Sequence, residues 1–132
     1  MIQCHGIAHT TLTVTNIQQT KAFYEELFDT SFDMDDDTSF SLISVGIPVW
    51  FVQWQKKLVD RFNERRVGLD HIAFEVKNIG DLEKVETKLT QMKVKHAGIE
   101  RFAGKYPYIA FRDPDNIQTE FFINKEVEDD KS

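Results

Sequence analysis

The residues GIAHTTLTVTNI at positions 6–17 return, without a gap, as GLDHIAFEVKNI at positions 68–79. Gly6 and Gly68, His9 and His71, Asn16 and Asn78, and Leu27 and Leu89 all match at a single shift of 62 residues. Self-similarity at one fixed long period marks two copies of one supersecondary unit. In a chain of 132 residues those two copies use nearly everything. A unit of that length buries little core alone. The copies are therefore expected to form one domain around a shared sheet or barrel-like cup.

Each copy reads in the same order. Residues 7–14 alternate, with Ile7, His9, Thr11 and Thr13 on one face and Ala8, Thr10, Leu12 and Val14 on the other, which is the period of a half-buried strand. Asn16 suits a helix cap, and Ala22, Phe23, Leu27 and Phe28 recur at helical spacing over 17–28. A loop rich in Asp and Ser follows, then strands over 40–45 and 49–54 around a turn at Gly46–Pro48, with a weaker strand over 30–33. In the second copy, residues 69–76 alternate and Asn78 or Asp81 offers a cap. Leu82, Val85, Leu89 and Met92 then form a 3-4-3 apolar stripe. Strands over 93–99, 106–112 and 117–123 complete it, the last two joined by the turn Asp113-Pro114-Asp115-Asn116. The modules thus span about 5–54 and 68–124, with a solvated linker at 55–67 and an acidic tail at 125–132. The run DMDDD at 33–37 lacks the Gly and distal Glu of an EF-hand loop and reads as a solvated turn.

Charge and cysteine usage remove several function classes. Twenty-two Asp and Glu against sixteen Lys and Arg leave a net charge of −6, which repels nucleic acid and anionic membranes. One Cys excludes an internal disulfide. The stretch MIQCHGIAHT has neither a basic leader nor an apolar h-region. No apolar run reaches the ~20 residues of a membrane span. The expectation is a cytoplasmic protein whose partner is a small molecule.

The repeated His is where chemistry enters. Leu12, Val14, Ile72, Phe74 and Val76 mark the faces that the helices cover. His9 and His71 therefore lie on the opposite faces, beside the small or polar Thr11, Thr13, Ala73 and Glu75. Glu120, inside the apolar strand IQTEFFI, is costly to bury without a cation. That cation is either an Arg such as Arg112 or Arg101, or a metal. Two His nitrogens and one carboxylate oxygen form a facial triad with open coordination positions. Such a set suits Fe, Mn, Zn, Co or Ni in the divalent state rather than Ca.

The segments GIAHTTLTV, GLDHIAFEV and FRDPDNIQTEFF resemble the three signature segments of the vicinal oxygen chelate superfamily over residues 5–124. That superfamily includes glyoxalase I, extradiol dioxygenases, fosfomycin-resistance enzymes, epimerases and bleomycin-binding proteins. The resemblance implies an α+β fold of two βαβββ modules forming a cupped mixed sheet, with helices on the convex face and the metal on the concave one. It places the metal ligands at His9, His71 and Glu120. Glyoxalases usually add a fourth ligand, and the matching position here falls at Trp50 or a close neighbour, with Gln53 nearby but off register. It implies a metal-dependent glyoxalase-like lyase or isomerase, or a ring-cleavage dioxygenase. The alternative is a non-catalytic antibiotic- or metabolite-binding protein of the bleomycin-resistance type. Modules of this kind are often exchanged between chains, so a homodimer is expected.

Other residues carry weaker claims. Tyr106 and Tyr108 share one strand face and offer an acid or an oxyanion contact, packing being the plainer role. Arg101, Lys105 and Arg112 can receive an anionic substrate or simply be solvated. Thr11, Trp50, Trp54 and Phe122 are candidates to line a substrate pocket. His5, His96 and Cys4 have no repeat partner or chemical context.

Overall fold

In a computed structural model, which describes residues 1–43 and 45–128, the chain divides between Arg61 and Phe62 into two compact units. Unit 1 runs β1 (Thr10–Thr13), α1 (Ile17–Phe28), β2 (Met34–Asp36), β3 (Ser39–Leu42) and β4 (Val49–Val52). Unit 2 runs β5 (Ile72–Glu75), α2 (Ile79–Gln91), β6 (Glu100–Phe102), β7 (Tyr106–Arg112) and β8 (Gln118–Phe122). Each folds a four-stranded mixed sheet, in the orders β1-β4-β3-β2 and β5-β8-β7-β6. The first and last strands of each unit pair in parallel and the other neighbours are antiparallel. The fold class is α+β, built from one βαβββ pattern used twice. Ser44, within the expected strand 40–45, and residues 129–132 of the expected tail lie outside the described residues.

The repeat is visible at the level of single hydrogen bonds. Asn16 Oδ1 accepts from the Gln19 amide at 3.0 Å, and Asn78 Oδ1 accepts from the Asp81 amide at 2.9 Å. Each satisfies an orphan donor of the first helical turn. Asn78 is thus the cap, and Asp81 supplies the amide that it binds.

Helix α2 buries Leu82 and Leu89 as its spacing predicts. Helix α1 does not: its buried residues are Ile17, Thr20, Tyr24 and Leu27, while Ala22 is exposed and Phe23 half-buried. The Tyr24 ring packs 4.8 Å from Phe51, which stacks 4.9 Å from Phe40. Those contacts turn the helix toward a face that hydropathy ranks lower.

The strands are shorter than alternation suggests. β1 and β5 are edge strands with one partner each, so their ladders start only where β4 and β8 allow. His9 and His71 consequently stand in the lead-in just ahead of the strands, both exposed. The strand expected over 93–99 is absent. Lys93 adopts a left-handed φ of 59°, and the following segment is tied by His96. The His96 Nδ1 accepts from the Gly98 amide at 3.0 Å while Nε2 lies 2.8 Å from Thr90 Oγ1. Pairing resumes at Glu100 in β6. The expected weak strand over 30–33 is likewise displaced, to Met34–Asp36, with Asp36 Oδ1 closing the β2–β3 turn on the amide and hydroxyl of Thr38.

The Asp113–Asn116 turn forms as expected. The buried Asp113 carboxylate accepts from the amides of Asp115 and Ile117 at 3.0 and 2.9 Å, an Asx-type closure. Asn116 takes a φ of 68°, a conformation that Asn tolerates better than most residues. Among the described residues no helix is long and apolar enough to cross a membrane.

Candidate metal centre

In each unit one sheet face packs under the helix and the other points away from it. Along β7 the buried residues Pro107, Ile109 and Phe111 alternate with Tyr106, Tyr108 and Ala110, the period-2 pattern of a strand with one core face. Ala110 and Ala73 both lie opposite Glu120, so the Glu120 side chain shares its face with Tyr108, Phe122 and the residues leading into β5. His71 precedes Ala73 by two positions and therefore belongs to this face as well.

The structure brings His71 and Glu120 together. His71 Nε2 stands 3.7 Å from Glu120 Oε2, too far for a hydrogen bond. Two donors each ~2.1 Å from one ion stand at most ~4.2 Å apart, so one ion fits between these atoms. Glu120 is only 9% exposed, and its other oxygen accepts a long 3.5 Å contact from Gln118 Nε2. The expected Arg partners are engaged elsewhere: Arg112 with Glu64, and Arg101 with the Val127 carbonyl. Within either unit, among the described residues, no group of three His, Cys, Asp or Glu side chains gathers to hold a metal. Unit 2 thus offers one imidazole nitrogen and one carboxylate, a donor pair suited to borderline divalent ions.

Unit 1 repeats the frame with different chemistry. Thr11 pairs with Trp50 as Ala73 pairs with Glu120, so Trp50 holds the register position of the carboxylate, where no ligating oxygen is available. Gln53 is occupied locally, its Oε1 accepting from the Ile17 amide at 2.8 Å at the start of α1. His9 and Thr11 are exposed and Trp50 is half-buried. Trp54 lies beyond β4 and is 73% exposed.

Aromatic residues line the same face of unit 2. Phe122 stacks against Tyr106 at 6.1 Å and against Tyr108 at 6.2 Å. Burial, and then the Glu100 carboxylate beside it, push the Tyr108 hydroxyl above its usual range. Tyr108 therefore keeps its proton and is a donor rather than a base. Lys105 forms an exposed pair with Glu126 at 3.2 Å.

Arg112 donates two hydrogen bonds to Glu64, at 2.8 and 3.0 Å. An anion would have to displace that carboxylate. This pair holds Glu64 down from 4.5 to about 2. A depressed carboxylate stabilises the fold above its unfolded value, and that contribution is lost as pH falls through the folded one. The stability penalty of Arg112→Ala is accordingly expected to be full above pH 4.5 and to shrink toward zero near pH 2. Urea midpoints of both proteins across that range check it, and a constant difference would show that the pair contributes nothing through charge.

Two residues escaped the sequence reading. Asp70 Oδ1 lies 2.7 Å from His71 Nδ1, and Gln118 touches Glu120. The repeat held a signal for the first, since Ala8 stands where Asp70 does. Gln118 carried none, because a polar residue at the first position of a strand, just after a turn, is unremarkable.

A profile described as the Glyoxalase/Bleomycin resistance protein/Dioxygenase superfamily matches residues 6–121. No curated protein matches the sequence. Among solved structures, a glyoxylase/bleomycin resistance protein/dioxygenase domain from Frankia sp. EAN1pec is 26% identical, with a TM-score of 0.78 over 92% of this chain and 98% of that one. A lactoylglutathione lyase from Agrobacterium tumefaciens is 16% identical, with a TM-score of 0.71 over 92% and 95%. A variant of FosX, a fosfomycin resistance protein from Listeria monocytogenes complexed with Mn(II) and 1S,2S-dihydroxypropylphosphonic acid, is 21% identical, with a TM-score of 0.68 over 90% of each chain.

Proposed function

The chain belongs to the Glyoxalase/Bleomycin resistance protein/Dioxygenase superfamily, and on that premise we propose that it is a metal-dependent enzyme acting on a small compound with two adjacent oxygens. The observation that carries this reading is the pair of facing donors, His71 Nε2 and Glu120 Oε2, 3.7 Å apart on the sheet face that points away from α2. In this reading the two hold a divalent ion, Fe, Mn, Zn, Ni or Co. The repeat-related His9, from the same chain or from a second copy in a homodimer, is the third ligand. The Mn(II) and vicinal diol named for the fosfomycin resistance protein support both the ion class and the substrate class.

When bound, a divalent ion supplies Lewis-acid stabilisation for charge that develops on chelated substrate oxygens. The chain's own residues do the rest. With Trp50 at the register of a fourth ligand, this reading has three protein donors and leaves room for two substrate oxygens. This favours ring-cleavage or fosfomycin-type chemistry over a four-ligand glyoxalase. The Tyr106–Phe122–Tyr108 strip supplies an apolar face for the substrate's carbon skeleton. Tyr108, kept protonated, donates a hydrogen bond to a substrate oxygen once that oxygen takes the place of the Glu100 carboxylate beside it.

Metal content by mass spectrometry, on protein from the cytoplasmic fraction of a chelator-free preparation, tests this. The wild type is expected to carry close to one ion per site, and His9→Ala and His71→Ala to lose it at least ~10-fold. Fe or Mn directs assays to catechol cleavage and epoxide opening, and Ni or Zn directs them to glyoxalase chemistry. No metal, and none taken up on titration, would sink the enzyme reading in favour of a protein that binds an antibiotic or metabolite without chemistry.

A further inference from the structure

The shortest polar contact His71 makes is with Asp70 rather than with Glu120. Asp70 Oδ1 lies 2.7 Å from His71 Nδ1, and a carboxylate can only accept there, so Nδ1 carries the proton. In the neutral ring the second nitrogen then bears a lone pair. That nitrogen is Nε2, which stands 3.7 Å from Glu120 Oε2. Two electron-rich atoms thus face each other with no hydrogen between them, at a separation that a cation fills. We propose that Asp70 is a positioning residue: it locks His71 in the Nδ1–H tautomer and so keeps Nε2 bare toward Glu120.

Three features carry the assignment. Hydrogen bonding to one imidazole nitrogen decides which nitrogen is free to bind a metal, and loss of such a partner typically weakens affinity ~10–100-fold. The Asp70 side chain is 68% exposed, so it fills no place in the core and its replacement leaves packing intact. The repeat changes chemical character at this position: Gly6 and Gly68 match and Ile7 and Leu69 are both aliphatic, while Ala8 has become Asp70. Ala8 has no acceptor to offer His9, so the two imidazoles are expected to differ. Among charged neighbours, Arg112 feels the Asp70 carboxylate weakly, but its guanidinium is bonded to Glu64.

That a cation follows rests on the proposed function, whereas the tautomer does not. The test therefore reads both, on the full chain. Long-range proton–nitrogen NMR of 15N-labelled, metal-free protein, at a pH where the ring is neutral, assigns the tautomer of His71. Calorimetric titration with Mn(II) gives the affinity. In the wild type His71 is expected as Nδ1–H. Asp70→Ala is expected to shift it toward Nε2–H, leave His9 unchanged and weaken Mn(II) binding ~10–100-fold. Asp70→Asn, whose amide oxygen still accepts from Nδ1–H, is expected to retain the tautomer and most of the affinity. A wild-type His71 in the Nε2–H form, or an unchanged tautomer in Asp70→Ala, overturns the proposal. So does an Asp70→Asn loss as large as that of Asp70→Ala, since remote charge would then account for the effect. A wild type that takes up no Mn(II) defeats the proposed function, while the spectra still decide the role of Asp70.

Discussion

Glu120→Leu is expected to give a protein that is more stable than the wild type without metal and that no longer gains stability from Mn(II). Glu120 is 9% exposed within β8, and among the described residues its two oxygens meet the long Gln118 contact and the facing His71 nitrogen. An ionised carboxylate so placed costs free energy, and apolar replacements of poorly compensated buried charge commonly stabilise. Leu suits the site, because the neighbours across the ladder are Ala73 and Ala110. The expected gain is ~1–3 kcal/mol in the metal-free protein. In the wild type, Mn(II) at a hundred times its dissociation constant should add ~2.7 kcal/mol, and in the variant nothing. Thermal unfolding with and without Mn(II) measures both. A variant that is less stable without metal, or that keeps the Mn(II)-dependent shift, would show that Glu120 serves the fold rather than the ion.

The second large effect concerns the face of α1. Tyr24 is fully buried and its ring lies 4.8 Å from Phe51, whereas Phe23 beside it is half-buried. Tyr24→Ala should therefore cost ~3–5 kcal/mol, as aromatic truncation in a core does, and Phe23→Ala less than half as much. Urea midpoints at unchanged slope are the readout. The reverse order would restore the stripe through Ala22 and Phe23 that hydropathy selects. The exposed Ala22 illustrates why hydropathy fails here. A Tyr ring and a Thr methyl bury apolar surface that a polar label conceals.

What could be read from residues alone follows from local chemistry. The constant shift between Gly6, His9 and Asn16 and their partners specifies two copies of one unit, because equal patterns with equal caps fold alike. The span of β7, the two Asn caps and the Asp113–Asn116 turn needed only side-chain periodicity and hydrogen bonds within a few residues. The placing of His71 on the face opposite Phe74 also followed from period-2 alternation.

The remainder depended on partners distant in sequence. The starts of β1 and β5 are decided by β4 and β8, since an edge strand is as long as the neighbour that pairs with it. The site of β6 depends on how His96 ties down the end of α2, and the inner face of α1 on Phe51. Asp70 could be seen as a break in the repeat, but its meaning required the folded positions of the neighbouring side chains. Only they place its carboxylate on one nitrogen of His71 and Glu120 opposite the other. By itself, then, the sequence determined the unit, its duplication and the donor types. Tertiary structure decided which donors face each other, because sequence spacing orders residues along a strand and only cross-strand packing sets distances across it.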